Sequence, residues 1–434
     1  MRGRTGWDRR LVWGGLALAA CGPDATGTTD VATGRDASDV TAAGPCSAPS
    51  AAAVADAFVP DGFCAVTWAS GLASPRGIFV APGGDVLVVE RGASHVTALW
   101  DDDGDGLSGA GERAVVAEAS GLNHGVFVHG GFLYASSATT VFRWPYAGER
   151  DDLGAPQTVI RDIPGGGHAT RTVVLDAQGR LYVSVGSLSN VDEDASRSRV
   201  SRFALDALPA GGIRFADGEV FADGLRNEVG LDFDADGVLW GVQNGMDSLA
   251  RDDLGGDIHD DNPAEILSRF DTPGAFHGYP YCWTEYRLPS GVGLGPGTMW
   301  ATPTFLDRGT HTDAWCRDTA HVDPPELAMQ AHAAPLDLEF YDGAMFPEAF
   351  RGDLFVSFHG SWNRDVPTGY KVVRVRMQGG VPQDPEPFFE YAGEGDIAAA
   401  WRHRPVGVRV GADGRLFITS DSSGVVIAIG HDGG

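Results

Sequence analysis

Along the chain, short runs of alternating apolar and polar residues return repeatedly, each built around a glycine-containing turn. Six of them read VAPGGDVLVVE from Val80, VHGGFLYAS from Val128, LDAQGRLYVSVG from Leu175, FDADGVLWGV from Phe233, FRGDLFVSF from Phe350 and VGADGRLFITSD from Val410. Alternation with period two marks half-buried strands, and Asp-Gly or Gly-Gly between two such strands is a strong hairpin signal. The central leucines are Leu87, Leu133, Leu181, Leu239, Leu354 and Leu416. Consecutive copies are separated by about the length of one four-stranded blade, except between Leu239 and Leu354. Six imperfect copies predict an all-β chain, a six-bladed β-propeller with a long inter-blade insertion at 251–335. A two-sheet sandwich is the alternative, and it leaves the repetition unexplained. Helical periodicity is confined to short turns at 51–58 and 326–331.

The N-terminus follows a different pattern. Arg2, Arg4, Arg9 and Arg10 precede the apolar run Leu11 to Ala20, which ends in LAAC at Cys21. A bilayer span needs roughly 20 apolar residues, so this run is a signal-peptide core rather than a membrane helix. LAAC is similar to a bacterial lipobox, with residues 1–20 removed and Cys21 lipidated; the alternative is an ordinary secretory signal with a chance cysteine. Residues 21–45 are mostly Ala, Thr, Gly and Asp and read as a flexible tether, with the propeller domain at 46–434. The expectation is an exported lipoprotein facing the periplasm or cell exterior, touching the membrane only through its lipid.

Composition narrows the chemistry. Glycine accounts for 61 of 434 residues, twice the average share of about 7%, which suits many turns and disfavours a helix bundle. The formal net charge of −27 argues against nucleic acid as a partner, since phosphate binding needs a basic surface. Lys371 is the one lysine, which leaves Schiff-base chemistry a single candidate. Setting Cys21 aside, four cysteines remain in an exported chain, an even count that implies two disulfides. Short-range pairing, Cys46–Cys64 and Cys282–Cys316, is favoured among the three arrangements. No C-x-x-C spacing points to a metal or to covalent haem.

Two groups of residues carry chemistry. The stretch DDDGDGLSGAGE fits a calcium loop, with Asp101, Asp103 and Asp105 at positions 1, 3 and 5, the Leu107 carbonyl at 7 and Glu112 at 12. Ca²⁺ takes about six to eight oxygens, which alternate carboxylates and a bidentate glutamate supply. The alternative is a solvated acidic turn. Asp232, Asp234 and Asp236 lack the final glutamate and read as a hairpin turn. The second group sits where blade strands begin or end: Asn123-His124, His168 and Arg171, Arg226 and Asn227, Asn244 to Asp247, His332, the His359 to Arg364 stretch, and Arg404. Converging from six repeats, these histidines and arginines would line a funnel suited to a polyanionic ligand.

In order, GGGHATRTVVLDAQGRLYVSVGS, DGLRNEVGLDF, HAAPLDLEFY, FVSFHGSWNR with GYKVVRV, and RPVGVRVGADGRLFITSD resemble the sorbosone/glucose dehydrogenase family. The resemblance runs from about Gly71 to the C-terminus. It is closer to the sorbosone-dehydrogenase-like branch and the fungal pyranose dehydrogenases than to soluble glucose dehydrogenase. It implies a six-bladed propeller using pyrroloquinoline quinone (PQQ) and calcium to oxidise a sugar or sugar-derived aldehyde, passing electrons to a cytochrome or the quinone pool. His168 then matches the general base, and Arg226 and Asn227 the pair beside the quinone oxygen. Gly245 and Met246 match the backbone carbonyls that hold the PQQ-linked calcium, with Asn244 as a cofactor contact. Arg404 matches a partner of the PQQ carboxylates. His332, His359, Trp362, Asn363 and Arg364 fall where relatives line the cofactor pocket.

Two positions depart from the soluble enzyme. Ser187 stands where that enzyme has an aspartate orienting the base, and His359 falls near its cofactor-binding lysine. The residue types suit the reaction, because a histidine can take a hydroxyl proton near neutral pH and a cation can stabilise charge at the quinone oxygen. No G-x-G-x-x-G follows a strand, which disfavours a nicotinamide cofactor. The competing functions are a metal-dependent lactonase-type propeller, with Asn123, Asn227 and Asn244 gripping one ion, and a non-catalytic binding propeller.

Overall fold

The structure is a computed structural model, and it describes Cys46 and residues 52–433. The expected signal peptide, the Cys21 lipidation site and the tether up to residue 45 lie outside the described residues. Six sheets form the blades of a propeller, antiparallel except for the parallel edge strands Ile213–Arg214 and Ala275–Phe276. Their inner strands are Pro75–Val80, Leu122–His129, Val173–Leu175, Glu228–Phe233, Pro335–Phe340 and Pro405–Val410, for blades 1 to 6 in that order. The ring closes in blade 6, where the N-terminal strand Phe63–Ser70 pairs with the C-terminal strand Val425–His431. Ala57–Phe58 adds an edge strand to blade 5. The N-terminal segment thus stitches blades 5 and 6 together.

Each repeat folds as its pattern requires. Asp234 Oδ1 accepts the backbone N–H groups of Asp236 (3.0 Å) and Val238 (2.9 Å), and its Oδ2 accepts Trp240 Nε1 (2.9 Å). Asp176 does the same for Gln178 (3.0 Å), Arg180 (2.9 Å) and the Tyr182 hydroxyl (3.0 Å). These side-chain bonds reinforce backbone turns already closed by Gly237 N to Asp234 O (2.9 Å) and Gly179 N to Asp176 O (2.8 Å), so Asp234 and Asp236 are turn residues, as their pattern predicts. The second-strand leucines are buried, Leu133, Leu181, Leu354 and Leu416 completely. Leucines with no contact with water each contribute about 1.5–3 kcal/mol. In blade 1 the equivalent place belongs to Val86, which pairs with Val80 as Leu416 pairs with Val410. Leu87, the residue that the repeat pattern picked out, is one step later and therefore faces the other side of its sheet.

At the axis, Gly77, Gly125, Gly230 and Gly407 hold equivalent positions on four inner strands. A Cβ at these four would lie 1.8 to 2.7 Å from the backbone of the next inner strand, so the strands meet without side chains between them. Thr172 and Asp337 hold the same position in blades 3 and 5. This packed layer divides the two ends of the axis.

The long segment after Leu239 contains the third and fourth strands of blade 4, Glu265–Phe270 and Leu327–Met329. The added length therefore lies inside that blade, on either side of its third strand. It includes the helices Pro303–Asp307 and Asp313–Cys316. The helical turns expected at 51–58 and 326–331 are extended instead, because Ala57–Phe58 and Leu327–Met329 pair as edge strands. Both disulfides form as predicted, with Cα–Cα distances of 5.6 Å for Cys46–Cys64 and 5.7 Å for Cys282–Cys316.

Candidate active site at one end of the axis

Five of the six inner strands begin with a register irregularity, between Pro75 and Ile78, Leu122 and Val126, Glu228 and Gly230, Pro335 and Asp337, and Pro405 and Val408. Bulges of this kind re-aim side chains. At this end Arg76, His168, Arg226, His332, His359 and Arg404 line one cavity of about 370 Å³, together with Asn244, Gly245, Asp247, Glu265, Trp362 and Asn363. Two clefts at about twice that volume or more, of about 730 and 990 Å³, lie elsewhere. The larger contains the far ends of the inner strands, with Phe79, Phe127, Asp232, Glu339 and Arg409. Neither contains one of the predicted cofactor-contacting or catalytic side chains, so chemistry rather than size selects the smaller cavity.

His168 follows three glycines whose loop is held from behind. Arg171, fully buried, donates to the carbonyls of Pro164 (2.6 Å), His168 (2.6 Å), Thr170 (2.7 Å) and Ala138 (3.0 Å). Arg197 reaches the carbonyls of Gly165, Gly166 and Gly186. His168 Nδ1 lies 3.0 Å from both the carbonyl oxygen and the hydroxyl of Ser187, and that hydroxyl donates to Ser189 O (2.7 Å). Nδ1–H is therefore the donor, and Nε2 is left as the basic nitrogen without a partner among the described residues. Ser187 thus orients the ring as an aspartate would, but without charge. Burial first, and the Arg226 guanidinium second, pull the His168 pKa down to about 4.

Arg226, 4% exposed in its side chain, is held by Asp247 (2.9 Å) and by Asn190 Oδ1 (3.0 Å). Asp247 also accepts Asn363 Nδ2 (3.1 Å), while Asn363 Oδ1 is buried without a partner. Asn244 donates from Nδ2 to Pro335 O (2.6 Å). Glu265 is a buried part of this wall and accepts the N–H groups of Gly245 and Ala334; burial raises its pKa to about 7 against those two bonds. His359 Nε2 donates to Asp421 (2.9 Å), which also accepts Arg76 Nη1 (2.8 Å). Burial alone would raise the Asp421 pKa, but His359 and Arg76 outweigh it and hold the value at about 2. Arg404 donates to the carbonyls of His359 (3.0 Å) and Gly360 (2.8 Å). It has no carboxylate partner among the described residues, so its charge faces the cavity unneutralised.

Most of the predicted residues converge here, with three exceptions. Arg364 turns away to the carbonyls of Ala331 (3.4 Å) and Val366 (3.3 Å) and to Asp261 (3.3 Å). Its guanidinium is engaged by these partners, and Arg364 is not among the residues lining the cavity. Asn227 is buried behind the wall, with its carbonyl accepting Asn244 N (3.0 Å). The Met246 side chain packs with Leu249, Tyr279 and Trp283, so only its backbone could serve the site. His332 lines the cavity but points Nε2 at the carbonyls of His259 (2.5 Å) and Asn262 (3.2 Å). Trp362 is 77% exposed at the rim.

Sequence reading gave no role to Arg76, Glu265 or Asp421, and it singled out Asp247 only as the end of the Asn244–Asp247 stretch. Arg76 follows Pro75 at the start of blade 1, whereas Arg404 precedes Pro405 at the start of blade 6, so the two flank equivalent prolines from opposite sides. Glu265 and Asp421 had no signal in the repeat, because their partners are far away in the chain.

Away from the axis, Asp101, Asp103 and Asp105 place carboxylate oxygens within 4.8 Å of one another. Glu112 does not join them. Its Oε1 accepts the N–H groups of Asp102 (2.7 Å) and Asp103 (3.1 Å), and its Oε2 that of Gly109 (2.9 Å). The glutamate closes the loop through its backbone, which departs from the expected ligand at position 12.

Comparison with known proteins follows the same outline. A family model described as TrAA12-like matches residues 57–432. The chain is 32% identical over 408 residues to a pyrroloquinoline quinone-dependent pyranose dehydrogenase of Coprinopsis cinerea, covering 86% of this chain and 54% of that protein. The chain thus spans about half the length of that relative. It is 30% identical over 394 residues to a pyrroloquinoline quinone-dependent sugar dehydrogenase of Hypocrea jecorina, covering 83% of this chain and 86% of that one. Among solved structures, the holo PQQ domain of the Coprinopsis cinerea pyranose dehydrogenase matches with a TM-score of 0.75 and 31% identity, over 86% of this chain and 97% of that one. A calcium structure of the Trichoderma reesei family AA12 enzyme matches with a TM-score of 0.76 and 28% identity, over 87% and 97%. Because the family model matches residues 57–432, nearly the whole propeller, the chain belongs to the TrAA12-like family.

Proposed function

We propose that this protein is a PQQ- and calcium-dependent sugar dehydrogenase with His168 as its general base. The observation that carries the reading is the anchored imidazole: Nδ1–H is committed to Ser187, and Nε2 is left to a cavity walled by arginines. Several features suit the cofactor. Arg404 lacks an acidic partner, Asn363 Oδ1 is buried without a donor, and no described residue donates to the carbonyl oxygen of Gly245 or Met246. Arg404 and Arg76 would hold carboxylates, and the two carbonyls would hold calcium. PQQ, when bound, supplies the hydride acceptor. His168 Nε2 would take the proton from the sugar hydroxyl, and Arg226, fixed by Asp247, would present positive charge where the acceptor gains electrons.

A lactonase-type centre is less well supported, because the cavity carboxylates are already engaged. Asp247 holds Arg226 and Asn363, and Glu265 holds two backbone N–H groups. The test is dye-linked oxidation of a panel of pyranose sugars. Activity should require both PQQ and Ca²⁺, and acid release from a lactone without any electron acceptor would overturn the reading. We further propose export and anchoring through Cys21, electron delivery to a cytochrome or the quinone pool, and a structural calcium at Asp101, Asp103 and Asp105.

A further inference from the structure

We propose that Glu265 is a positioning residue that fixes the Asn244–Gly245 peptide, and with it Arg226 and the carbonyls meant for calcium. The inference rests on the cofactor reading above. Glu265 opens the third strand of blade 4 and is 2% exposed. Its two oxygens divide their work between two segments of the cavity wall. Oε2 accepts Gly245 N (2.7 Å), on the turn after the second strand of blade 4. Oε1 accepts Ala334 N (3.0 Å), on the segment that leads into blade 5.

The Gly245 N–H and the Asn244 carbonyl belong to one peptide unit. Its N–H side meets the Glu265 carboxylate, and its carbonyl meets Arg226 Nη1 at 3.4 Å. A carboxyl acceptor at one end and a cationic donor at the other orient the peptide dipole and set the direction of the carbonyl that follows. The contact is close-packed as well. A Cβ at Gly245 would lie 2.8 Å from Pro263 Cγ and 3.0 Å from Ala264 O, on the chain that delivers Glu265.

The second segment is tied to the first independently, since Asn244 Nδ2 donates to Pro335 O (2.6 Å). Ala334 O in turn accepts His359 N (2.9 Å). Ala334 and His332 both have positive φ, 57° and 59°, a conformation that non-glycine residues keep only when their surroundings hold it. Glu265 therefore joins the turn expected to carry calcium to the segment expected to line the cofactor.

The donor count dictates the variant. Two N–H groups converge on two oxygens, which a carboxylate satisfies fully. Glutamine would set an NH₂ against one of them, and aspartate is one methylene too short to reach both. A merely structural acid would lower the melting temperature on replacement and leave the folded protein's site intact. Glu265→Gln and Glu265→Asp should instead show faster hydrogen exchange at 244–247 and 332–335 together, with the strands of blades 1, 2 and 6 unchanged. In folded variant, PQQ affinity at saturating Ca²⁺ should fall by about tenfold or more, and half-saturation by Ca²⁺ should move to higher concentration. Should Glu265→Gln fail to fold, Glu265→Asp decides by the same readouts. Unchanged exchange in both segments overturns the proposal whether or not PQQ binds. Parent-like affinity for PQQ and Ca²⁺ overturns it too, whereas a parent that binds no PQQ overturns the cofactor reading alone.

Discussion

At His168 the decisive feature is what stands beside the ring. A serine carbonyl and hydroxyl fix the tautomer but bring no negative charge, while Arg226 adds a positive one. The sequence shows the serine directly, and with it the lack of an acidic partner. It does not show how far burial and Arg226 lower the pKa, because the arginine arrives from another blade. His168 loses its proton at about pH 4, so it is a competent base above that value and disabled below it. In the cofactor-free protein the His168 imidazole should thus titrate near pH 4 by NMR, with no step of its own near 6.5; a step near 6.5 that disappears in a His168 variant would contradict this. His168→Gln should bind PQQ as the parent does, because the proposed anchors are elsewhere. Its turnover should fall by roughly 10²–10⁴, the usual worth of a positioned general base. Full quinone-dependent turnover in that variant would remove His168 from the mechanism.

Among the elements, those set by local chemistry were legible and those set by distant pairing were not. The Asp176 and Asp234 turns satisfy bonds within six residues, and both disulfides close short loops. Leu327–Met329 became a strand only because Glu265–Leu267 lies beside it, and Asp421 reaches the site across 345 residues to Arg76. The calcium loop falls between these cases. Its three aspartates assemble as their spacing predicts, but Glu112 is drawn to backbone N–H groups within its own loop. This gives separable outcomes. Asp103→Asn keeps an acceptor for Asp105 N (3.0 Å) while removing charge, so it should melt like the parent in chelator and gain less from calcium. A calcium concentration one hundred times Kd would stabilise the parent by about 2.7 kcal/mol. Glu112→Gln should melt lower with and without calcium. Equal melting of parent and Asp103→Asn across a calcium titration would mark the loop as an acidic turn.

In the molecule as a whole, Arg76, Arg226 and Arg404 line the cavity at one end of the axis in a chain of net charge −27. The repeat made six blades readable from sequence. The separation of the two axial ends was not readable, since the glycines that create it act only when neighbouring inner strands meet. If Cys21 is lipidated, Cys21→Ser should move the protein from the membrane to the soluble fraction, and unchanged membrane association would exclude that anchor. The central claim is tested most directly by titrating the purified protein with PQQ and following the quinone absorbance, with Ca²⁺ and then with chelator. The account predicts saturable binding of one PQQ per chain, dependent on calcium and weakened in Arg404→Ala, with the bound quinone bleached by a pyranose sugar in the absence of any other oxidant. Titration without saturation, or bound quinone that no sugar reduces, would contradict it.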